Sequence, residues 1–335
     1  MKILLGSHFF FPSTGGIETT SELLAREFSR AGHEVRVITQ TAEGGGAFPF
    51  LVVRQPGALE LWQQIKWCDL FLQNNISLRT LWPLLFRHRP LFITHQTWIA
   101  GTSGRAHWSH SLKRLVLHFA KSLAISEAIA KDLPTASVPV GNPYDDEIFT
   151  NLGGIRRTDL IFVGRLVSDK GADVLLSALA VLRETTGLTP GLTIAGDGPE
   201  RASLEAQVAR LELQGQVKFV GNQHSRALAT LLNDHKILVV PSRWQEPFGI
   251  VALEGIACGC VVVGSAGGGL QEAIGPCGLT FPNGDEQALA DILKRLLTDP
   301  SASEKLRRET GAHLAKFTRK HVAKMYLQAF VGSVG

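Results

Sequence analysis

The 335 residues carry a net charge of +4, with 44% hydrophobic and 19% charged residues. That composition excludes a disordered chain, and the length calls for two domains of ordinary size rather than one core. No apolar run approaches a membrane span, and four cysteines (Cys68, Cys258, Cys260, Cys277) without CxxC spacing exclude a disulfide frame or a zinc site.

The opening residues, MKILLGSHFFFPSTGG, hold one lysine and an apolar run broken at Ser7-His8. That is too short for a signal peptide, so a cytoplasmic protein is expected. Residues 2–6 read as a buried strand, Ser13–Gly16 as a Gly-rich turn, 17–31 as a helix closed by Gly32, and 35–39 as a second strand. Further strands are expected at 50–53, 69–73, 91–94 and 122–125, with helical patterns between them. The rhythm breaks over 141–157, GNPYDDEIFTNLGGIRR, which reads as a linker. Strands at 159–163, 192–195, 217–220, 237–240, 261–264 and 278–281 follow, each with a helix behind it. The chain closes in helices at 285–298, 301–316 and 319–330.

Continuous apolar strands alternating with helices imply an α/β chain of two Rossmann-like parallel-sheet domains facing across a cleft. The expected domains are 1–150 and 151–318, with the last helix, 319–335, packing back on the first. Such sheets bind ligands where strand ends meet helix N-termini, so the loops after strands carry the chemistry.

After strand 159–163 come Gly164, Arg165, Lys170 and Gly171. A guanidinium and an ammonium there suit an anion, although two solvated surface cations would look the same. The stretch Gly196-Asp197-Gly198-Pro199 reads as a tight turn with Pro199 opening a helix. Position 201 is Arg201, so the dinucleotide fingerprint GxGxxG is absent.

The richest stretch is RWQEPFGIVALEGIACG, residues 243–259. Pro247 suits a helix's first turn, Gly249 permits close approach, and the amides of Phe248, Gly249, Ile250 and Val251 suit a phosphate. Glu246 before the helix and Glu254 within it would repel that phosphate but accept hydrogen bonds from sugar and ribose hydroxyls. A Glu cap and a solvated helical Glu are the plain alternative, weakened by Glu254's apolar neighbours.

In order along the chain, FFPSTGGIETTSELLAREFSRAGHEVRVIT, LAISEAIAKDL, FVGRLVSDKGADVLLSAL, LTIAGDGPERASLE, VKFVGNQ and EPFGIVALE resemble the GT4-type retaining glycosyltransferases of the GT-B fold. The likeness implies a sugar moved from a nucleotide-sugar, UDP-sugar favoured and GDP-mannose the alternative, to a glycan, glycolipid or lipid-linked acceptor. It implies that Arg165 and Lys170, with Gly164 in their loop, hold the donor diphosphate. Glu246 and Glu254, the ends of the family's E-x7-E signature, would hold the sugar and the ribose. Gly15 and Gly16 would form the first-domain loop over the diphosphate. His95, in FITHQTW, would sit by the transferred sugar, a core or capping histidine being the competing reading. One departure is Pro139-Val140-Gly141-Asn142, where relatives carry Pro-Asn-Gly. No metal or cofactor is expected, because no Asp-x-Asp triplet occurs. An epimerase or phosphorylase on the same scaffold, or a non-catalytic nucleotide-sugar sensor, are the rival functions.

Between Leu70 and Ser126 there is no Asp or Glu, while Arg79, Arg87, Arg89, Arg105, Lys113, Arg114 and Lys121 share the interval with Trp82, Trp98 and Trp108. An anionic membrane's inner face or a lipid-pyrophosphate acceptor would suit such a region, 79–121. A solvated basic face with core tryptophans would too. Nucleic acid is not expected, since no nucleic-acid motif accompanies the patch.

Overall fold

The computed structural model describes residues 1–13, 15–42, 44–99 and 108–331. Two compact units emerge, Met1–Pro143 with Phe317–Gly335, and Tyr144–Lys316.

The first unit is built on seven parallel strands: β1 Lys2–Ser7, β2 Glu34–Thr39, β3 Leu51–Arg54, β4 Leu70–Asn74, β5 Leu91–His95, β6 Lys121–Ala124 and β7 Ser137–Pro139. Their order is β3-β2-β1-β4-β5-β6-β7, so the direction of winding reverses between β1 and β4. Helices α1 Gly16–Arg30, α2 Ala58–Trp67, α3 Leu78–Leu81, α4 Trp108–Leu117 and α5 Glu127–Asp132 connect the strands.

The strands are apolar on both sides because both faces are covered, and residue parity decides which face each side chain joins. Ile3, Leu5, Val35, Val37, Leu70 and Leu72 meet Leu24 and Phe28 of α1 on one face. Leu4, Ile38, Phe71 and Ile93 meet Leu61 and Ile65 of α2, Leu81 of α3 and Leu117 of α4 on the other.

The second unit repeats the plan with six parallel strands: β8 Thr158–Val163, β9 Leu192–Ala195, β10 Val217–Gly221, β11 His235–Val240, β12 Val261–Ser265 and β13 Gly278–Phe281. The order is β10-β9-β8-β11-β12-β13, with its reversal between β8 and β11. Its helices are α6 Ala172–Thr186, α7 Arg201–Arg210, α8 Ser225–Asn233, α9 Ile250–Ala257, α10 Leu270–Ile274, α11 Glu286–Thr298, α12 Pro300–Arg307 and α13 Thr310–Leu314. Helix α6 buries Val174, Leu175, Leu176, Leu179 and Leu182 in the core with Leu160, Phe162, Ile237 and Val239. Each such leucine contributes about 2 kcal/mol of apolar burial. A terminal helix, α14 Arg319–Val331, belongs to the first unit, where Val322, Tyr326 and Phe330 pack with Phe28 and Phe92.

Several expectations need correction. The break between units falls at Pro143/Tyr144 and not at 150/151. The polar 144–157 stretch is sewn to the second unit: Arg156 donates to the carbonyls of Leu232, Asn233, His235 and Cys258, and the Leu152 amide donates to Asn233. Helix 301–316 is two helices, α12 and α13, because the turn at Arg308–Glu309 lets His313 reach the Ala273 carbonyl at 2.8 Å. Strand β7 was not expected. It is short, lies at the sheet edge and ends in proline, which donates nothing to a ladder. Pro199 lies in the turn before α7 rather than in its first turn.

Candidate active site

In the second unit the winding reversal sits between β8 and β11, and the loops that follow these two strands lie against each other. The β8 loop passes Gly164 and an exposed Arg165, makes one 3-10 turn at Ser168–Lys170, and enters α6. The Asp169 carbonyl accepts the amides of Arg243 at 2.9 Å and Trp244 at 3.2 Å. Gly171 makes that contact possible. Its φ of 65° is left-handed, and a Cβ there would stand 2.0 Å from the Pro241 carbonyl oxygen.

The loop contact brings Lys170 to Glu246. The ammonium donates to Glu246 Oε1 at 2.6 Å, and the Ser242 hydroxyl donates to the same oxygen at 2.6 Å. Glu246 is buried, and its other oxygen, Oε2, has no hydrogen-bond partner among the described residues. The Glu246 backbone carbonyl accepts the Gly269 amide at 2.7 Å, which fixes the loop after β12 against it. Sequence reasoning missed Ser242. A hydroxyl at a strand end four residues before Glu246 was the available signal. Arg165 makes no ion pair among the described residues, whereas Arg243 is clamped by Asp173.

Helix α9 begins at Ile250, so Pro247 lies in the preceding loop and not in the helix's first turn. Its N-cap is Gly249 at φ 110°, a conformation that needs glycine. The glycine approaches its own chain here, since a Cβ would stand 2.6 Å from Leu270 Cδ1. The amides of Gly249, Ile250 and Val251 find no acceptor among the described residues, while the Phe248 side chain is buried. Three free amides at a helix start attract an anion.

Glu254 is half-buried two turns behind Glu246 and makes no side-chain hydrogen bond or ion pair among the described residues. Burial lifts its carboxyl to about 7, and the charge of Asp145 adds to the lift. A carboxylate so placed gains from a hydroxyl that donates to it. The thiols of Cys258 and Cys260 nearby are free, buried and raised to about 12 by burial.

In the first unit Gly15 is the N-cap of α1 and Gly16 its first residue; both are exposed, and the Glu18 carboxylate folds back toward Gly15. Thr14 lies outside the described residues. His95 ends β5, is buried at 2% exposure, and shares a 3.2 Å hydrogen bond between Nε2 and the Ser122 hydroxyl. Burial lowers its pKa to about 4, so the ring is neutral at ordinary pH. Asn142 is buried and donates to Gln96 Oε1 at 2.9 Å, a packing role that the departure from Pro-Asn-Gly left unread.

The structure therefore brings Lys170 and Glu246 into contact and aligns α9's free amides, while His95, Gly15 and Gly16 belong to the other unit. Residues 149–313 match the family model "Glycosyl transferases group 1". These residues belong to the group 1 glycosyltransferases.

Curated relatives of this chain include a glycogen synthase from Mycobacterium tuberculosis, 30% identical over 253 residues, covering 71% of this chain and 60% of the relative. A D-inositol 3-phosphate glycosyltransferase from Kribbella flavida is 32% identical over 209 residues, covering 59% and 49%. The chain thus spans three-fifths or less of these relatives. Among solved structures, sucrose-phosphate synthase from Thermosynechococcus elongatus superposes with a TM-score of 0.82 at 23% identity, covering 99% of this chain and all of that one. Anabaena HepE in complex with UDP-glucose gives 0.80 at 20% identity, covering 99% and 100%. These likenesses establish the GT-B fold of two Rossmann-like domains.

Proposed function

We propose that the chain is a retaining glycosyltransferase that moves a sugar from a nucleotide-sugar, UDP-sugar first, to a glycan, glycolipid or lipid-linked acceptor. The observation that carries this reading is the Lys170–Glu246 pair at the β8/β11 reversal, next to the unpartnered amides of Gly249–Val251. The UDP and UDP-glucose complexes of HepE support the class of donor.

The difficult event is departure of the nucleoside diphosphate from the anomeric carbon, during which negative charge grows on the phosphate oxygens. Arg165, Lys170 and the α9 amides are positioned to stabilise that charge; one such preorganised donor is worth about 10²–10³ in rate. On this reading the Glu246 oxygen left free, Oε2, accepts from a hydroxyl of the transferred sugar. Glu254 accepts from the ribose. The acceptor belongs to the first unit, attacks on the face the leaving group vacates, and gives its proton to the departing phosphate. His95, neutral and hydrogen-bonded to Ser122, contributes a hydrogen bond near the sugar and no proton transfer. The stabilising set consists of side-chain cations and amides, so the proposed reaction is metal-independent.

Thermal shift with UDP-, GDP- and ADP-sugars, followed by transfer assays with and without a chelator, tests this. A rise in melting temperature with one donor class and transfer that survives the chelator are expected. Turnover of donor without acceptor would make the chain an epimerase, a strict phosphate requirement a phosphorylase, and binding without turnover a sensor.

A further inference from the structure

The face of the first unit that covers α2, α3 and α4 carries an outer surface that the donor chemistry does not use. After α3 the chain makes a 3-10 turn, Trp82–Leu85, and then runs Phe86-Arg87-His88. Leu85 is 83% exposed and Phe86 74%. On the neighbouring helix α4, Leu112 and Leu115 are exposed, and Phe119, just past its end, is 80% exposed. Both segments rest on one core: Leu84 from the turn, Val116 from α4 and Ala120 just past its end pack against the same cluster. Phe86 precedes β5 and Phe119 precedes β6, and β5 pairs with β6, so both rings lie toward the amino-terminal edge of adjacent strands.

Cations accompany these apolar groups. Arg87 and Arg114 are exposed and form no ion pair among the described residues; His88 and His118 are exposed beside them. No acidic residue occurs from Leu70 to Ser126 to offset them. Arg89, by contrast, is not part of this surface. It caps α2 by donating to the carbonyls of Ile65 at 3.2 Å and Lys66 at 2.7 Å. The side chains of Arg105 and Trp108 lie outside the described residues.

Large apolar side chains at such exposure mark a surface that meets something else. A protein partner with an apolar face is poorly served by exposed, unpaired arginines on the same segments as the apolar groups, whereas an anionic bilayer satisfies both groups at once. The rings enter the acyl boundary and the guanidiniums stay at the phosphates. We propose that the turn at Leu85–Phe86 and the outer face of α4, with Phe119, form a shallow insertion surface for an anionic lipid membrane.

The test is vesicle sedimentation of the full chain without any nucleotide-sugar, so failure of the donor reading does not touch it. Vesicles of phosphatidylcholine alone and of phosphatidylcholine mixed equally with phosphatidylglycerol are compared at low and high salt. Binding to the anionic vesicles at low salt, weakened by high salt, is expected. Arg87→Gln with Arg114→Gln should lower that affinity about twenty-five-fold, about fivefold for each cation. Phe86→Ser with Phe119→Ser should leave only a weak, salt-erased residue of binding. Both pairs of sites are exposed, and circular dichroism confirms the fold. No sedimentation at low salt, or binding untouched by both double variants, overturns the proposal. So does a dimer in solution that the Phe86/Phe119 variant dissolves, which would assign the face to a second copy of this chain.

Discussion

The Lys170 ammonium lies 2.6 Å from Glu246 Oε1, although 76 residues separate the two in sequence. Each stands in the loop after one of the two strands that flank the winding reversal. Without ligand the cation is engaged by one carboxylate oxygen, yet an ammonium has three donors, and two stay available to phosphate oxygens.

Removing one partner of this pair leaves the other exposed to its desolvation cost. Glu246 is the more buried member, so Lys170→Ala leaves a carboxylate held by Ser242 alone. The expected loss is about 1–3 kcal/mol of stability, together with about 10²–10³ in transfer rate. In a double-mutant cycle with Glu246→Gln, the combined variant should lose less than the sum of the singles, by about 1 kcal/mol. Urea unfolding measures the cycle, and strict additivity would mean that the contact carries no coupling.

Gly171 sets the distance between the two loops. In Gly171→Ala the new Cβ would press on the Pro241 carbonyl, which is backbone and cannot swing away, at a left-handed φ. A loss of about 2–4 kcal/mol is expected, with donor affinity falling because the Lys170 and Glu246 loops separate. Denaturant unfolding and donor titration check it. Gly187→Ala is the comparison: its φ is 74° but a Cβ there meets nothing within 4 Å, so only the backbone penalty of about 1 kcal/mol applies.

The alternating pattern disclosed the strands because both sheets are covered on both faces, which leaves runs such as ILVV and VVV unbroken. It missed β7, where Pro139 and a short span give no periodicity to read. Arg165, Lys170 and Glu246 stood out as candidates because charged residues follow the apolar strands β8 and β11, and Glu254 because it interrupts an apolar helix. What no spacing could disclose is the pairing of Lys170 with Glu246, since the order β8-β11 is a tertiary fact. The exposure of Phe86 and Phe119 was equally hidden, because an aromatic at helical spacing usually faces a core. His95 was read at a strand end, but its burial against Ser122 depends on how β5 and β6 pair.

Glu254 titrates near 7 in the folded chain against 4.5 for its ordinary value. The folded state therefore binds the proton more tightly, and stability is fully present below about 4.5 and lost as pH rises toward 7, by about 3 kcal/mol. Glu254→Gln removes that loss. The variant should gain stability relative to the parent at pH 8 and gain nothing at pH 4, by urea unfolding. On the proposed reading it also binds nucleotide-sugar more weakly above pH 7, where the parent offers a carboxylate to the ribose. A variant of unchanged stability at pH 8 would show that the carboxyl is better solvated than its burial implies.

His95 contributes the opposite slope. Its folded pKa of about 4 lies below the ordinary 6.5, so the unfolded chain binds the proton first. Stability is present above 6.5 and lost as pH falls toward 4, again by about 3 kcal/mol. Between pH 4.5 and 6.5 the two groups offset each other, because Glu254 gains in acid what His95 loses. Burial lowers His33, His235 and His313 as well, and each adds to the acid loss. His95→Gln keeps a side-chain partner for Ser122 and deletes the titration. The advantage of this variant over the parent should grow as pH falls from 6.5 to 4, while the advantage of Glu254→Gln should shrink to nothing as pH falls from 7 to 4.5. Stability advantages over the parent that change in opposite directions with pH, in one set of unfolding curves, confirm both assignments, and advantages that change in the same direction refute one of them.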